Sequence, residues 1–185
     1  MRNLLDAYDT IGLTITANDD EIVGRTTLQK LIYFVDVKIP EIRLEPYFAY
    51  YYGPFNRQVA KELERMVVFE LLEERRAGDN FGSYLYRVTN KGIPVINNLR
   101  RKFRRTLTKI ENIVDQCQTF CKLDPNSLSF ASKVHFMVAN RKAQQSLTYD
   151  NLTDMSIKFG WKISKSDVEQ GAELLQQLNL VKIRR

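Results

Sequence analysis

The sequence predicts a mainly α-helical α+β fold with a small β-hairpin. Two amphipathic helical patterns precede a pair of strand-like segments, which is the order of a winged helix-turn-helix. A long heptad-like helical pattern follows, and three shorter helical patterns complete the chain. We therefore expect a winged-helix domain at 1–92, a long linker and dimerisation helix at 93–122, and a C-terminal helical unit resembling a helix-turn-helix at 123–185.

The composition is that of a globular protein, with 44% hydrophobic and 27% charged residues among 185. No apolar run reaches the roughly 18 to 20 residues that span a bilayer. The first ten residues contain Asp6 and Asp9 and lack the apolar centre of a signal peptide. These features predict a cytoplasmic protein without a membrane partner.

The net charge of +6 is unevenly distributed. Residues 1–98 carry 12 basic and 14 acidic groups, whereas residues 99–109 carry 6 basic groups and no acidic one. The basic character therefore lies in one short run, LRRKFRRTLTK, which is a candidate surface for a polyanion.

The first two predicted helices are amphipathic. The first has apolar residues at helical spacing and is expected to end at Gly12. The second begins at Thr26 or Thr27, either of which can serve as the N-cap. Its buried face is expected to contain Leu28, Leu31, Ile32 and Val35.

An aromatic segment follows the connector between Pro40 and Pro46. It contains Tyr47, Phe48, Tyr50, Tyr51 and Tyr52 and has high strand propensity. Such a cluster could stack on single-stranded bases or enclose a ligand. We favour a third interpretation, in which the rings form a wall of the hydrophobic core.

The third predicted helix begins at Pro54, whose fixed φ suits a first helical turn. One side is apolar, and another carries Arg57, Lys61 and Arg65 at intervals of four. A helix of this kind could enter a DNA major groove. From this helix alone, we slightly favour a different interpretation over DNA binding: Arg57, Lys61 and Arg65 form an ordinary solvated face and pair in part with Glu62 and Glu64. The candidate DNA contacts here are Asn56, Arg57, Gln58, Lys61 and Arg65.

Two strands are predicted at about 71–76 and 83–89, joined by a turn at 78–82. This hairpin would be the wing. Its arginines Arg75, Arg76 and Arg87 are candidate phosphate contacts. Glu73, Glu74 and Asp79 oppose that use, because they carry the same charge as the phosphates.

A long helix is predicted after Pro94, with one polar interruption at Thr106. Its apolar seam, the candidate dimer interface, contains Ile96, Leu99, Phe103, Ile110, Ile113, Cys117 and Phe120. The basic residues beside the seam are Arg100, Arg101, Lys102, Arg104, Arg105 and Lys109. Two interpretations stay open: a dimer seam whose basic flanks also contact phosphates, or a helix folded onto its own domain with a solvated basic face.

The C-terminal unit is predicted to contain a helix at 128–140, a helix from Thr148 to about Lys158, and a last helix that begins with a capping box formed by Ser164 and Asp167. A short strand at 180–183 ends the chain.

The sequence offers few residues for catalysis or metal binding. Cys117 and Cys121 share a helix face, but a zinc site needs four donors and His135 is the single histidine. We interpret both cysteines as packed residues and His135 as a packed histidine. No phosphate-binding glycine-rich loop and no nucleophile with a base is present. We expect no metal, no cofactor and no enzymatic activity.

Three phrases carry a family resemblance: GRTTLQKLIYF at 24–34, YYYGPFNRQVAKELERM at 50–66 and YRVTNKG at 86–92. The first two resemble an uncharacterised prokaryotic family of the YwgA type and, more distantly, the Panacea (SocA-like) antitoxin domains. The third is similar to the end of the wing in PadR- and MarR-type regulators. The resemblance implies a winged helix with a recognition helix and a following dimerisation helix. The chain departs from those regulators in the net charge of −2 over 1–98 and in the aromatic segment inserted before the recognition helix.

Two functions are compatible with these observations. The first is a winged-helix DNA-binding protein, either a transcriptional regulator or an architectural factor, that acts as a homodimer on double-stranded DNA. The alternative is a winged-helix interaction module without DNA binding, such as an antitoxin, an adaptor or an assembly subunit. The Panacea-like resemblance implies this second role.

Overall fold

The computed structural model describes residues 4–78, 82–141 and 148–181. It is mainly helical with small antiparallel sheets, as the sequence predicts. The helices are α1 (Ala7–Thr16), α2 (Arg25–Lys38), α3 (Arg57–Val68), α4 (Ile93–Lys102), α5 (Arg104–Cys121), α6 (Pro125–Ala139), α7 (Tyr149–Lys158) and α8 (Lys165–Gln177). The strands are β1 (Glu21–Val23), β2 (Phe48–Tyr50), β3 (Gly53–Phe55), β4 (Leu72–Arg76) and β5 (Tyr84–Val88). Within the described ranges, no helix combines the length and apolar character that a membrane crossing requires.

The chain divides into two compact units. The first contains Met1–Pro46 and Asn56–Asp115, and the second contains Tyr47–Phe55 and Gln116–Arg185. This division differs from the expected boundaries at 92 and 122. The aromatic segment belongs to the second unit, and α4 with most of α5 belongs to the first.

The first unit has the order and sheet pairing of a winged helix. Helices α1, α2 and α3 are followed by the antiparallel hairpin β4–β5, and β1 pairs with the free side of β5. In this register Tyr86 lies opposite Ile22 on one side and Glu74 on the other. The hairpin was predicted to within one residue at each described strand end. Its turn at 79–81 lies outside the described residues. Strand β1 was not predicted, because three residues are too few to show an alternating pattern.

Three predicted helix ends in this unit are wrong. Helix α3 begins at Arg57 after its N-cap Asn56 and not at Pro54, which lies in strand β3. Helix α1 continues through Gly12 to Thr16, and Gly12 packs against α4 so closely that a Cβ there would lie 2.9 Å from Ile96 Cδ1. Helix α2 begins after Gly24, whose φ of 96° suits glycine, rather than at Thr26 or Thr27. Its predicted apolar face is confirmed, since Leu28, Leu31, Ile32 and Val35 are all fully buried.

The single long helix predicted after Pro94 is two helices. Phe103, which lies between α4 and α5, has φ −115° and ψ 28° and is 4% exposed. The break coincides with neither proline nor glycine, so the local sequence carries no signal for it. It places the Phe103 ring in the interior while Arg101, Lys102, Arg104 and Arg105 on either side stay exposed.

The second unit contains the β2–β3 hairpin, the end of α5 and helices α6 to α8. Helix α8 packs on α6 at Gly171, where a Cβ would lie 2.8 Å from the carbonyl carbon of Phe130. The predicted capping box of Ser164 and Asp167 is confirmed. The expected helix at 128–140 begins earlier, at Pro125, with Asp124 as its N-cap. Leu180 and Val181 are not in a strand, and the rest of the predicted 180–183 strand lies outside the described residues.

Candidate nucleic-acid interface

Helix α3 presents one apolar and one basic side, as its sequence spacing predicts. Val59, Leu63 and Met66 are at most 6% exposed and form the buried side. Arg57, Lys61 and Arg65 are exposed on the opposite side. Arg65 Nη1 pairs with Glu62 Oε1 at 2.8 Å in an exposed ion pair. Exposed pairs of this kind are weak and do not prevent contact with a phosphate.

Asn56 is a structural residue, and its predicted contact with DNA is wrong. Its side chain is fully buried and caps α3, with Oδ1 accepting a hydrogen bond from Val59 N at 3.0 Å. Its Nδ2 donates to the Glu45 carbonyl oxygen at 2.7 Å. Gln58 is half-buried beside it, and its Oε1 accepts from Glu45 N at 3.0 Å. The exposed basic side of α3 therefore consists of Arg57, Lys61 and Arg65.

Gln29 on α2 holds the start of α3, a role that the sequence analysis missed. Its Nε2 donates to the Asn56 carbonyl oxygen at 3.1 Å, and its Oε1 accepts from Asn56 N at 3.2 Å. Gln29 is 6% exposed, so both hydrogen bonds are shielded from water. The available signal was a glutamine next to Leu28 on the first turns of a mostly buried helix, since a buried amide requires polar partners.

The wing carries two exposed arginines on β4. Arg75 and Arg76 are exposed and form no ion pair with a described residue. Arg87 on β5 is different, because its Nε donates to Glu21 Oε2 on β1 at 2.8 Å. This pair joins two strands and engages both Nε and Nη2 of Arg87, so fewer of its donors remain for a phosphate than at Arg75 and Arg76.

Glu74 on the wing is neutralised by a cluster at the start of α2. Arg25 Nη2 donates to Glu74 Oε2 at 2.8 Å, and Arg25 Nε donates to Tyr86 Oη at 2.6 Å. Tyr86 Oη donates a short hydrogen bond to the same Glu74 carboxylate. Burial acts to raise the pKa of Glu74, but hydrogen bonds from Tyr86 and Arg25 hold that pKa below its ordinary value. The expected repulsion between Glu74 and a phosphate is therefore weakened.

The six basic residues of the 99–109 run are in different environments. Arg100 Nη2 makes a two-oxygen contact with Asp20 at 2.7 and 2.8 Å, and Lys109 Nζ lies 3.2 Å from Glu41 Oε1. Lys102 Nζ lies 4.5 Å from the centre of the Phe103 ring. The other three are exposed and have no ion pair within the described residues; they are Arg101, Arg104 and Arg105.

The predicted dimer seam is buried inside the chain. The six buried members are 5% exposed or less and are Ile96, Leu99, Phe103, Ile110, Ile113 and Cys117. Phe120 is 38% exposed. Ile96 and Leu99 face Gly12 of α1, so this part of the seam packs on the same unit. Burial of six of the seven seam residues favours the second interpretation, in which the helix is folded onto its own chain, and Phe120 is the exposed member.

The described residues hold no cluster of three or more histidine, cysteine, aspartate or glutamate side chains that could bind a metal ion. Both cysteines are thiols; Cys117 is buried, and Cys121 Sγ donates to the Cys117 carbonyl oxygen at 3.2 Å. Burial lowers the pKa of His135, which favours its neutral form. Cys117 is thus an interior residue, and Cys121 and His135 are partly buried.

Eight exposed cations of the first unit constitute the candidate interface. They are Arg57, Lys61 and Arg65 on α3, Arg75 and Arg76 on β4, and Arg101, Arg104 and Arg105 at the junction of α4 and α5. Guanidinium and ammonium groups in solvent bind phosphate oxygens readily, and guanidinium can do so through two parallel hydrogen bonds.

No protein-family model matches the chain, and no curated protein sequence matches it.

Proposed function

We propose that the protein binds double-stranded DNA through its winged helix, as a transcriptional regulator or an architectural factor. The observation that carries this proposal is the orientation of α3. This helix occupies the recognition-helix position of the winged-helix order, buries Val59 and Leu63, and keeps Arg57, Lys61 and Arg65 in solvent. A helix so placed can enter the major groove while the wing contacts the neighbouring backbone.

Affinity and sequence preference have different sources in this proposal. Phosphate contacts by Arg75, Arg76 and the cations at the α4–α5 junction supply affinity that does not depend on sequence. The exposed side of α3 supplies any preference, because only groups in the groove reach base edges. Arg87, Arg100 and Lys109 contribute less, since each already pairs with a carboxylate.

The test measures, by fluorescence anisotropy, the affinity of the purified chain for a random-sequence duplex of about 30 base pairs. The measurement is repeated across a series of salt concentrations. With several of the eight cations on phosphates, the logarithm of the affinity should fall with the logarithm of the salt concentration at a slope of about −4 to −7. The double variant Arg57→Glu/Lys61→Glu should weaken binding at least about tenfold, because each reversal replaces an attraction by a repulsion.

The matched control is Lys122→Glu/Lys165→Glu, which makes the same change in net charge on exposed residues of the second unit. It should leave duplex affinity within about twofold. Flat anisotropy at low salt, or an equal loss of affinity in both double variants, would contradict the proposal.

A second candidate function is an interaction module that binds another protein. Val68 and Phe69, at the end of α3, are 76% and 57% exposed, and large apolar side chains adjacent in a chain are typical of contact surfaces. The Panacea-like resemblance of the sequence implies the same role. A stoichiometric protein partner that co-purifies with the chain, together with no measurable duplex binding, would favour this candidate.

A further inference from the structure

We propose that the second unit contains a binding site for single-stranded nucleic acid, separate from the duplex contact of α3. Bases would stack on Tyr50 at the end of β2 and on Tyr51 and Tyr52 in the turn to β3, which together are called here the tyrosine turn. Nearby lysines would contact the phosphates.

The three rings of the tyrosine turn are in solvent. Tyr50 is 48% exposed, Tyr51 78% and Tyr52 62%. The sequence predicts that these rings form a wall of the core, and that prediction is wrong for all three. The rings of Tyr50 and Tyr51 lie 4.8 Å apart, and the Tyr50 ring lies 5.2 Å from that of Phe55. Tyr50 is thus supported from behind by Phe55 and in turn supports Tyr51.

The backbone of the tyrosine turn is anchored from two sides. Trp161 Nε1 donates to the Tyr50 carbonyl oxygen at 2.7 Å, and Ser129 Oγ on α6 donates to the Tyr52 carbonyl oxygen at 2.7 Å. The exposed rings therefore project from a fixed main chain. A ring held in this way loses little conformational entropy when a ligand stacks on it, which is how rigid aromatic anchors gain affinity.

Exposed lysines lie close in sequence to Trp161, whose indole holds the tyrosine turn. The Trp161 ring stacks on Phe159 at 5.3 Å, and this short turn is flanked in sequence by the exposed residues Lys158 and Lys162. Neither lysine forms an ion pair within the described ranges. The hairpin from 47 to 55 contains no charged residue, so it adds no repulsion toward an anion.

Lys133 on α6 adds a third positive group, one turn after Ser129. It is 8% exposed, and its Nζ lies 5.7 Å from the Trp161 ring. It makes no hydrogen bond or ion pair with a described residue, and burial lowers its pKa. The negative charge of Asp167 partly offsets this lowering of the Lys133 pKa. Asp167 Oδ2, however, already accepts a hydrogen bond from Ser164 N at 2.7 Å. The ammonium group also lies 5.9 Å from the Phe130 ring, and a phosphate oxygen would add an anionic partner to these two aromatic contacts.

Single-stranded nucleic acid combines the two features that this surface can recognise. Each base has a flat π face, and each nucleotide carries one negative charge, so exposed rings beside unpaired lysines match a short single strand. Duplex DNA does not match the tyrosine turn, because its bases are already stacked on one another. An acidic peptide shares the charge but offers no flat face for three tyrosines.

The test is binding of 5′-labelled dT12 to the full chain by fluorescence anisotropy, with two matched double variants. Tyr51→Leu/Tyr52→Leu removes the π faces and should weaken binding by about 5- to 150-fold for each ring that stacks. Tyr51→Phe/Tyr52→Phe keeps the rings and should stay within about twofold of the parent chain. Quenching of Trp161, the single tryptophan, by dT12 provides a second readout at the site.

Two charge variants separate this site from the proposed duplex site. Lys162→Glu should weaken dT12 binding and reduce its salt slope by about 0.7 per lost phosphate contact. Arg57→Glu/Lys61→Glu should leave dT12 affinity unchanged, and the tyrosine variants should leave duplex affinity unchanged. Failure of one proposal can therefore be distinguished from failure of the other.

Three results would overturn the inference: no binding of dT12 at low salt, equal affinities of the leucine and phenylalanine variants, or failure of Lys162→Glu to weaken binding. Binding of a polyglutamate peptide that depends on Tyr51 and Tyr52, without any binding of dT12, would assign the tyrosine turn to an acidic protein partner instead. Because Tyr51 and Tyr52 are mainly exposed, these substitutions leave the core unchanged, and circular dichroism confirms the fold of each variant.

Discussion

Three neutral amide side chains hold the start of α3. Asn56 caps the helix. The Gln29 side chain forms hydrogen bonds with both the backbone N–H and the backbone C=O of Asn56, and the Gln58 side chain accepts a hydrogen bond from the backbone N–H of Glu45. The sequence predicts that Asn56 and Gln58 contact DNA, because amides at the start of a recognition helix commonly contact bases. In the structure their hydrogen bonds are internal. An amide can satisfy a backbone group as well as a base, so residue type alone does not distinguish the two roles.

Replacing Gln29 by leucine tests the importance of this arrangement. The variant leaves the buried N–H and C=O of Asn56 without their partner, which should lower the free energy of unfolding by about 2 to 4 kcal/mol. Chemical denaturation measures the change. The control Gln118→Leu, at an exposed position of α5, should change stability by less than about 0.5 kcal/mol. Equal effects of the two substitutions would show that the Gln29 hydrogen bonds contribute little.

At the scale of elements, helical periodicity predicts the buried sides of α2 and α3, and strand propensity with the turn residues between the strands predicts the wing. Helical periodicity also predicts a continuous helix after Pro94, where the structure has α4 and α5 separated at Phe103. The reason is that periodicity reports which residues avoid water, and it is insensitive to a change in helix direction that keeps the same residues buried. Phe103 is 4% exposed and satisfies the pattern despite the break.

The contact between α6 and α8 depends on Gly171. A Cβ at this position would lie 2.8 to 2.9 Å from backbone atoms of Phe130 and Ala131, which cannot move aside as a flexible side chain can. Gly171→Ala should therefore lower the free energy of unfolding by about 1 to 3 kcal/mol or more, although alanine favours the helical state. Thermal unfolding of this variant is compared with that of Glu169→Ala, an exposed position of the same helix. A Gly171→Ala protein as stable as the parent would show that the two helices can separate without cost.

At the scale of the whole molecule, the structure has consequences for the oligomeric state and for the number of binding surfaces. The basic run stays exposed at Arg101, Arg104 and Arg105, whereas the apolar seam beside it is buried. The sequence predicts one dimerisation helix that carries both the basic run and the apolar seam. In the structure the cations remain available for a phosphate, and the seam is used by the chain itself.

We accordingly expect the chain to be monomeric at micromolar concentration, with the mass of 21.6 kDa that its sequence specifies. A dimer through the seam would have to expose and replace the packing of residues such as Ile110, which is fully buried. Sedimentation equilibrium measures the mass over a range of concentrations. A concentration-dependent dimer that Phe120→Asp abolishes would contradict this expectation, because Phe120 is the exposed end of the seam.

The sequence by itself determined the fold class, the approximate helices and wing strands, and the exposed basic side of α3. These features are local, because the spacing of apolar residues along a helix or strand reports which side avoids water. Only the tertiary structure decided that Asn56 is internal, that Arg87 and Arg100 are paired, that the seam is covered and that the tyrosine turn is exposed. Each of those outcomes depends on residues far apart in the chain, such as Asp20 with Arg100 or Tyr50 with Trp161, and no local pattern encodes which distant group becomes a neighbour.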